Sequence, residues 1–182
     1  MLRGERIRLR ALEREDLPQF AAWLNDEDVI RGLRANVPYS LAQAEEEFKE
    51  ALERKPEGRP LVIEVPEGDA WKSIGGTHFD HMDELARSAE VVIMIGDKAF
   101  WNQGYARETL RVMLNHGFAD LNLERVYLDV LADHERAIRS YHHAGFVDEG
   151  RLRRAAYREG KTVDVILMSV LRSEWGSRGQ PA

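Results

Sequence analysis

The sequence predicts a single-domain α/β fold on three observations. Residues 91–95 (VVIMI) form a continuous β-branched and apolar run, the pattern of a strand buried on both faces. An amphipathic stretch at 105–121 and a further strand at 125–130 follow, and strand, helix and strand within about forty residues is the size of a right-handed crossover between parallel neighbours. The 182 residues, 43% of them hydrophobic, furnish one core of normal size, and no repeat, low-complexity tract or linker divides them. The expected domain spans 1–175, with a short tail at 176–182.

Residues 6–11 alternate Ile7, Leu9 and Ala11 with arginines, the period of a half-buried strand that begins the sheet. Glu15 and Asp16 then precede Leu17, Phe20, Ala21 and Leu24 at helical spacing, with Pro18 tolerable in the first turn and an end near Asn25. Ser40 with Gln43 reads as a capping box for a stripe of Leu41, Ala44, Phe48, Ala51 and Leu52, which KPEGRP at 55–60 stops. Strands at 61–65 and 74–79 are joined by PEGDAW as a hairpin connection, and 80–88 is a polar loop. The helix at 105–121 turns Leu110, Met113, Leu114 and Phe118 inward. Asp133 is positioned to cap a helix bearing Ala137, Ile138 and Tyr141, which Gly145 ends. Strands at 146–152 and 163–171 flank the turn-like REGK at 158–161.

The formal charge of −6 argues against a broad nucleic-acid footprint and suits a cationic acceptor such as an amine. The absence of cysteine excludes disulfides, thiolate metal sites and a cysteine nucleophile. Charges run throughout MLRGERIRLRALERED, so it is no signal-peptide core, and no apolar run approaches ~18 residues. A soluble cytoplasmic protein without a membrane or nucleic-acid partner is expected.

In GDKAFWNQGYARETLR at 96–111, a small-residue loop passes from the apolar strand into a helix. Unpaired N–H groups at such a junction face an anion, and a diphosphate fits on the amides of Asn102, Gln103, Gly104, Tyr105, Ala106 and Arg107. Neither GxxxxGK[ST] nor a GxGxxG after a strand is present, which implies a different phosphate-bearing cofactor. An ordinary strand-to-helix turn that uses glycine for its φ tolerance fits these sixteen residues equally.

Four stretches in order, RLRALEREDL at 8–17, IGDKAFWNQGYARETL at 95–110, LNLERVYLDVLADHERAIRSYHHAGF at 121–146 and DVILMSVLRSEW at 164–175, resemble the GNAT acyltransferase superfamily. The similarity is greatest to its Rim-type branch of ribosomal-protein and small-amine N-acetyltransferases. The resemblance implies a mixed central sheet, flanked by helices and splayed between the strands ending near Ile95 and Val130. It also implies that the loop at 101–106 holds the diphosphate of acetyl-CoA, a cosubstrate, with no metal. Two departures stand out. The branch's Gly-Lys before the glycine is Asn102-Gln103 here, removing one charge near the phosphates. Its Asn before the Arg-Ala pair is His134, ahead of Arg136 and Ala137 on the pantetheine path.

Acyl transfer to an amine needs an unprotonated nucleophile, a donor to the oxyanion and a proton for the departing thiolate. By resemblance, Tyr141 is the proton donor, with a packed helix tyrosine as the plain alternative. A backbone N–H on the strand ending at Ile95 is the expected oxyanion donor. Glu90, opening that strand, is the candidate base through a water chain, although a solvated strand-end glutamate fits nearly as well. Trp101 is expected to pack under the loop, and His78 or His81 to face the acceptor side. The acidic groups at 26–28 and at Asp80, Asp83 and Glu84 either attract a cation or form solvated surface. His142 and His143 point about 100° apart on a helix, which suits a shared metal poorly. Proximity to a helix N-terminus should keep His134 neutral.

The implied function is acetyl-CoA-dependent N-acetylation of a primary amine, either a protein or peptide N-terminal amine or a small amine, by direct attack. A catalytically silent module that binds CoA or a peptide as a sensor is the alternative. The family also suggests a homodimer.

Overall fold

Alternation at the N-terminus has the expected result: Ile7 and Leu9 are buried in the core. The computed structural model describes residues 1–33, 38–158 and 160–178. Its eight-stranded sheet runs in the order β1 (Leu2–Arg3), β2 (Arg8–Ala11), β3 (Leu61–Glu67), β4 (Ala70–Asp83), β5 (Ser88–Ile95), β6 (Arg125–Leu131), β8 (Lys161–Leu171) and β7 (Val147–Arg158). Helices α1 (Leu17–Leu24), α2 (Glu27–Ile30) and α3 (Leu41–Glu53) connect β2 to β3. Helix α4 (Tyr105–Asn115) makes the crossover from β5 to its parallel neighbour β6, α5 (Glu135–Ala144) leads to β7, and α6 (Arg172–Arg178) follows β8.

The expected core stripe holds, since Leu110, Met113, Leu114 and Phe118 are buried in one cluster with Val91, Val126 and Met168. The Ser40 capping box is present in both directions: Ser40 Oγ accepts from the Gln43 amide at 3.1 Å, and Gln43 Oε1 accepts from the Ser40 amide at 2.9 Å. Glu64, only 4% exposed, accepts from Arg8 Nε at 2.5 Å and Arg10 Nε at 3.0 Å. Arg10 also grips Asp16 with both terminal nitrogens, tying the start of α1 to β2 and β3.

Several boundaries differ from expectation. Strands β3 and β4 extend through most of PEGDAW, and Gly68, at φ +61°, occupies the tight turn between them. The polar segment after residue 79 continues β4 to Asp83 because backbone pairing with β5 persists. Helix α4 ends at Asn115 and continues as a wider π-type turn at His116–Asp120. The cap of α5 is His134, since Asp133 is engaged by Arg158 at 2.8 Å. Helix α6 runs on past residue 175, and residues 179–182 lie outside the described chain.

One feature of the sheet positions the site. Strands β5 and β6 pair only at Ser88 with Arg125, Ala89 with Val126 and Glu90 with Tyr127, whereas β6 stays paired with β8 as far as Leu131. Beyond Glu90 the two parallel strands part and a wedge opens at their C-terminal ends, where ligands bind in open α/β sheets.

Candidate active site

The wedge exposes backbone donors. The Gly96 amide donates to the Ile74 carbonyl at 2.9 Å, so even-numbered amides at this end of β5 turn toward β4. By alternation along an antiparallel ladder, the N–H groups of Ile93 and Ile95 turn toward the side that β6 has left. The amide of Ile95, the expected oxyanion donor, therefore faces the wedge, and so does that of Ile93, which the sequence did not single out. The Ile95 carbonyl accepts from Trp101 Nε1 at 2.7 Å, so Trp101 packs under the loop and also fastens it to the strand end. The Arg136 guanidinium lies 4.0 Å above the Trp101 ring.

The loop then enters α4 through Gly104, the N-cap, at φ +84°. It offers no side-chain cap, and the first helical bond runs from the Glu108 amide to the Gly104 carbonyl at 3.0 Å. The amides of Tyr105, Ala106 and Arg107 thus precede that first bond and suit an anion. Gln103 turns its side chain back to the Ala99 carbonyl at 2.6 Å. Gln103 and Arg107 lie on the loop and first turn but do not line the cavity described below.

A guanidinium from the N-terminal segment reaches the loop at position 103. Arg6 donates from Nη1 to the Gln103 carbonyl at 3.2 Å, and Glu108 accepts from its Nε at 3.0 Å. A methyl on Gly104 would stand 3.4 Å from Arg6 Nη2 and 3.8 Å from Arg107 Nη2, so two guanidinium groups flank the helix start. Nothing in RGERIRLR distinguishes Arg6 from its neighbouring arginines, because the contact spans 97 positions.

Between the wedge, the loop and α5 lies a cavity of about 310 Å³. It gathers Ile95, Asn102, Gly104, Tyr105 and Ala106 from one side with His134, Arg136, Ala137 and Tyr141 from the other. Glu90 is not among its walls. It precedes Ile95 by five residues, roughly 16 Å at about 3.3 Å per strand residue, and its carboxylate is 3.8 Å from His81 Nε2. Glu90 thus sits where β5 and β6 last pair, at the base of the wedge and outside the cavity that Tyr141 lines.

Tyr141 packs against Phe146 with ring centroids 6.1 Å apart and lines the cavity. Burial, helped by the Asp129 charge, pushes its phenol up to about 12, so the hydroxyl keeps its proton throughout the neutral range.

His134 caps α5 with its backbone only, and its ring packs on Gly32, where a methyl would approach Cε1 to 2.2 Å. Its Nδ1 is buried with no partner among the described residues. Burial, then the charges of Arg136 and Arg158, hold the ring below its ordinary value of 6.5. The direction agrees with the expectation that this ring stays neutral. The native ring resists protonation more than the unfolded one, so its contribution to stability is present above about pH 6.5 and lost as pH falls below it. His134→Asn is expected to preserve acetyl-CoA affinity, whereas His134→Ala should weaken it by about 1 kcal/mol, somewhat less than tenfold. Calorimetric titration of the three proteins checks this, and equal affinities would leave the ring a space-filler.

The acidic groups near α2 are paired, Asp26 and Asp28 holding Lys98 at 2.7 and 3.1 Å, and Glu84 pairs with Lys55. Among the described residues no group of three acidic, histidine or cysteine side chains converges to hold a metal.

Residues 6–147 match the family model described as an acetyltransferase (GNAT) domain. A spermidine N(1)-acetyltransferase of Vibrio cholerae serotype O1 is 33% identical over 179 residues, covering 97% of this chain and 99% of the relative. The spermidine N(1)-acetyltransferase of Escherichia coli K12 is 27% identical, covering 93% and 88%. A crystal structure of the Vibrio cholerae spermidine N-acetyltransferase in complex with CoA and spermine is similar at a TM-score of 0.86, with 28% identity over 94% of this chain and 99% of that one.

Proposed function

The chain belongs to the GNAT acetyltransferase family and catalyses acetyl-CoA-dependent N-acetylation of an amine, and we propose that its acceptor is a small primary amine that attacks directly. The single observation that carries this reading is the wedge itself, where Tyr141 and the inward-turned amides of β5 share one cavity. The resident groups also fit the cosubstrate. An uncapped helix start between Arg6 and Arg107 suits a diphosphate, and the open edge of β5 suits an extended amide-bearing arm.

Acetyl-CoA supplies the thioester whose acyl carbon the amine attacks. The amides of Ile93 and Ile95 donate to the negative charge that develops on the acyl oxygen, without reorganising. As the new C–N bond forms and the C–S bond breaks, the Tyr141 hydroxyl gives its proton to the sulfur. The surplus proton on the new amide nitrogen leaves to water, and solvent reprotonates Tyr141. Glu90 has no direct part in this scheme. An amine with a neutral fraction at working pH needs no strong base.

A small amine is favoured as acceptor because polyamine acetylation is the activity named for relatives that match nearly the whole chain. A peptide N-terminus is the second acceptor class, a homodimer is the form that the family resemblance suggests, and a cytoplasmic location is the one that the charged N-terminal stretch suggests. Among the described residues no helix is long and apolar enough to cross a membrane.

The reading is tested by incubating the protein with acetyl-CoA and a panel of primary amines and short peptides, and following free thiol and acetylated product. Turnover with an amine is expected. Thiol release no faster than without amine, across the panel, would leave only the silent-sensor alternative. Arg6→Ala should raise the KM for acetyl-CoA about fivefold with kcat nearly unchanged, since a half-exposed guanidinium contributes about 1 kcal/mol of uniform binding. Arg6→Lys should recover part of the loss, and an unchanged KM in Arg6→Ala would remove this residue from the phosphate site.

A further inference from the structure

A second cavity, of about 530 Å³, lies between α1, α3 and the β4–β5 face. Leu33 and Met94 line both cavities, so the two adjoin at the end of β5, where the acyl group must be presented. The walls of this second cavity are apolar, with Phe20 and Leu24 from α1, Phe48 from α3, Leu61 from β3 and Val92 from β5. Its carboxylates, Glu47 and Glu50, come from exposed positions on α3, and Glu47 already accepts from the Tyr39 hydroxyl at 2.7 Å. Of the polar groups on the sheet side, Thr77 donates its hydroxyl to the Val92 carbonyl at 2.8 Å. His78 is kept below the ordinary imidazole range by burial, with Asp80 opposing and Arg54 assisting.

We propose that the acceptor is a primary amine carrying an apolar body, an alkyl or arylalkyl amine, and that this cavity selects it against polyamines. The inference rests on the N-acetyltransferase reading above and narrows its substrate. An apolar body seated here gains about fourfold in binding per buried methylene. A polyamine threaded through the same space sets its chain against hydrocarbon wherever Glu47 and Glu50 are out of reach, and an ammonium there must lose its proton or remain unpaired. The same walls favour the neutral form of the reacting nitrogen, which is the form that attacks. Among the described residues charge at the rim is mixed, because Arg54 lines the cavity with Glu47 and Glu50, so a polycation meets a cation there as well as anions.

The test compares kcat/KM for phenethylamine, hexylamine and spermidine at saturating acetyl-CoA, in the unaltered protein and in Phe48→Glu, a half-buried wall position. Phenethylamine or hexylamine is expected to exceed spermidine at least tenfold, and Phe48→Glu should reduce that preference at least tenfold by raising the KM of the apolar amine. Spermidine matching or exceeding both apolar amines would overturn the proposal, as would a preference that Phe48→Glu leaves intact. Phe48→Gln replaces the Glu variant if the latter does not fold. If none of the amines is acetylated, the transferase reading fails by itself. Titration of the CoA-loaded protein, followed by NMR, then decides the cavity: tighter binding of phenethylamine than spermidine supports it, and equal or absent phenethylamine binding sinks it.

Discussion

Tyr141→Phe is expected to lower kcat about 10²-fold while leaving acetyl-CoA affinity nearly intact, the effect of removing a positioned acid without disturbing its surroundings. The ring would still pack against Phe146 and the cavity would keep its shape, because only the hydroxyl is lost. The phenol is pushed up to about 12, above its ordinary value of 10. A raised value means that the protonated form persists as pH rises, so Tyr141 is a loaded acid through pH 7 to 10. The rise in rate on the acidic side of a pH profile then belongs to deprotonation of the acceptor amine, and any fall on the basic side below about pH 11 belongs to another group. The Phe variant should therefore trace a profile of the same shape at a lower level. Steady-state rates from pH 6 to 10 on both proteins make the comparison. A loss of less than about threefold would show that water protonates the leaving sulfur and that Tyr141 only packs.

Elements with a strong period were legible from the residues, and those held together by distant contacts were not. The crossover from β5 through α4 to β6 rests on a buried apolar run and a helical stripe, both written within about forty residues. The Ser40 box is likewise local. Helix α2, four residues long, has too few turns to show a period. His134 takes the cap that Asp133 was expected to fill because a long-range pair with Arg158 occupies Asp133, and a sequence window cannot see across 25 positions. The same limit hid Arg6, whose place beside Gly104 depends on the sheet bringing the N-terminus to α4. Glu90 is a different case: it sits where the wedge begins, but Ile95 on the cavity wall is five extended residues, roughly 16 Å, further along β5. The apolar second cavity was invisible because Phe20, Leu24 and Phe48 each lie on a helix stripe that reads as core.

Gly104→Val is expected to raise the dissociation constant for CoA about 10²-fold in a protein that still folds. A glycine at φ +84° occupies a region that β-branched residues strongly disfavour, at a cost of about 1–3 kcal/mol. The site itself has room, since an added Cβ meets nothing nearer than Arg6 Nη2 at 3.4 Å. The strain is therefore relieved by tilting the entry of α4, which turns the amides of Tyr105, Ala106 and Arg107 away from a shared anion, while the two γ-methyl groups occupy the space in front of them. Hydrogen bonds to a charged group contribute about 1.5–3 kcal/mol each, so misdirecting one or two of them accounts for the loss. Gly104→Ala, with a smaller backbone penalty because it is not β-branched and with one methyl, should fall between, about tenfold weaker than the unaltered protein. Thermal unfolding separates binding from folding, because a cost of about 1–3 kcal/mol lowers the midpoint by only about 2–4 °C per kcal/mol in a chain of this length. Calorimetric titration with CoA then reads the site directly. Unchanged affinity in a folded Gly104→Val protein would mean that the diphosphate is not held at the start of α4, and the anion would have to be sought at Arg136 and Arg139 on the far wall of the same cavity.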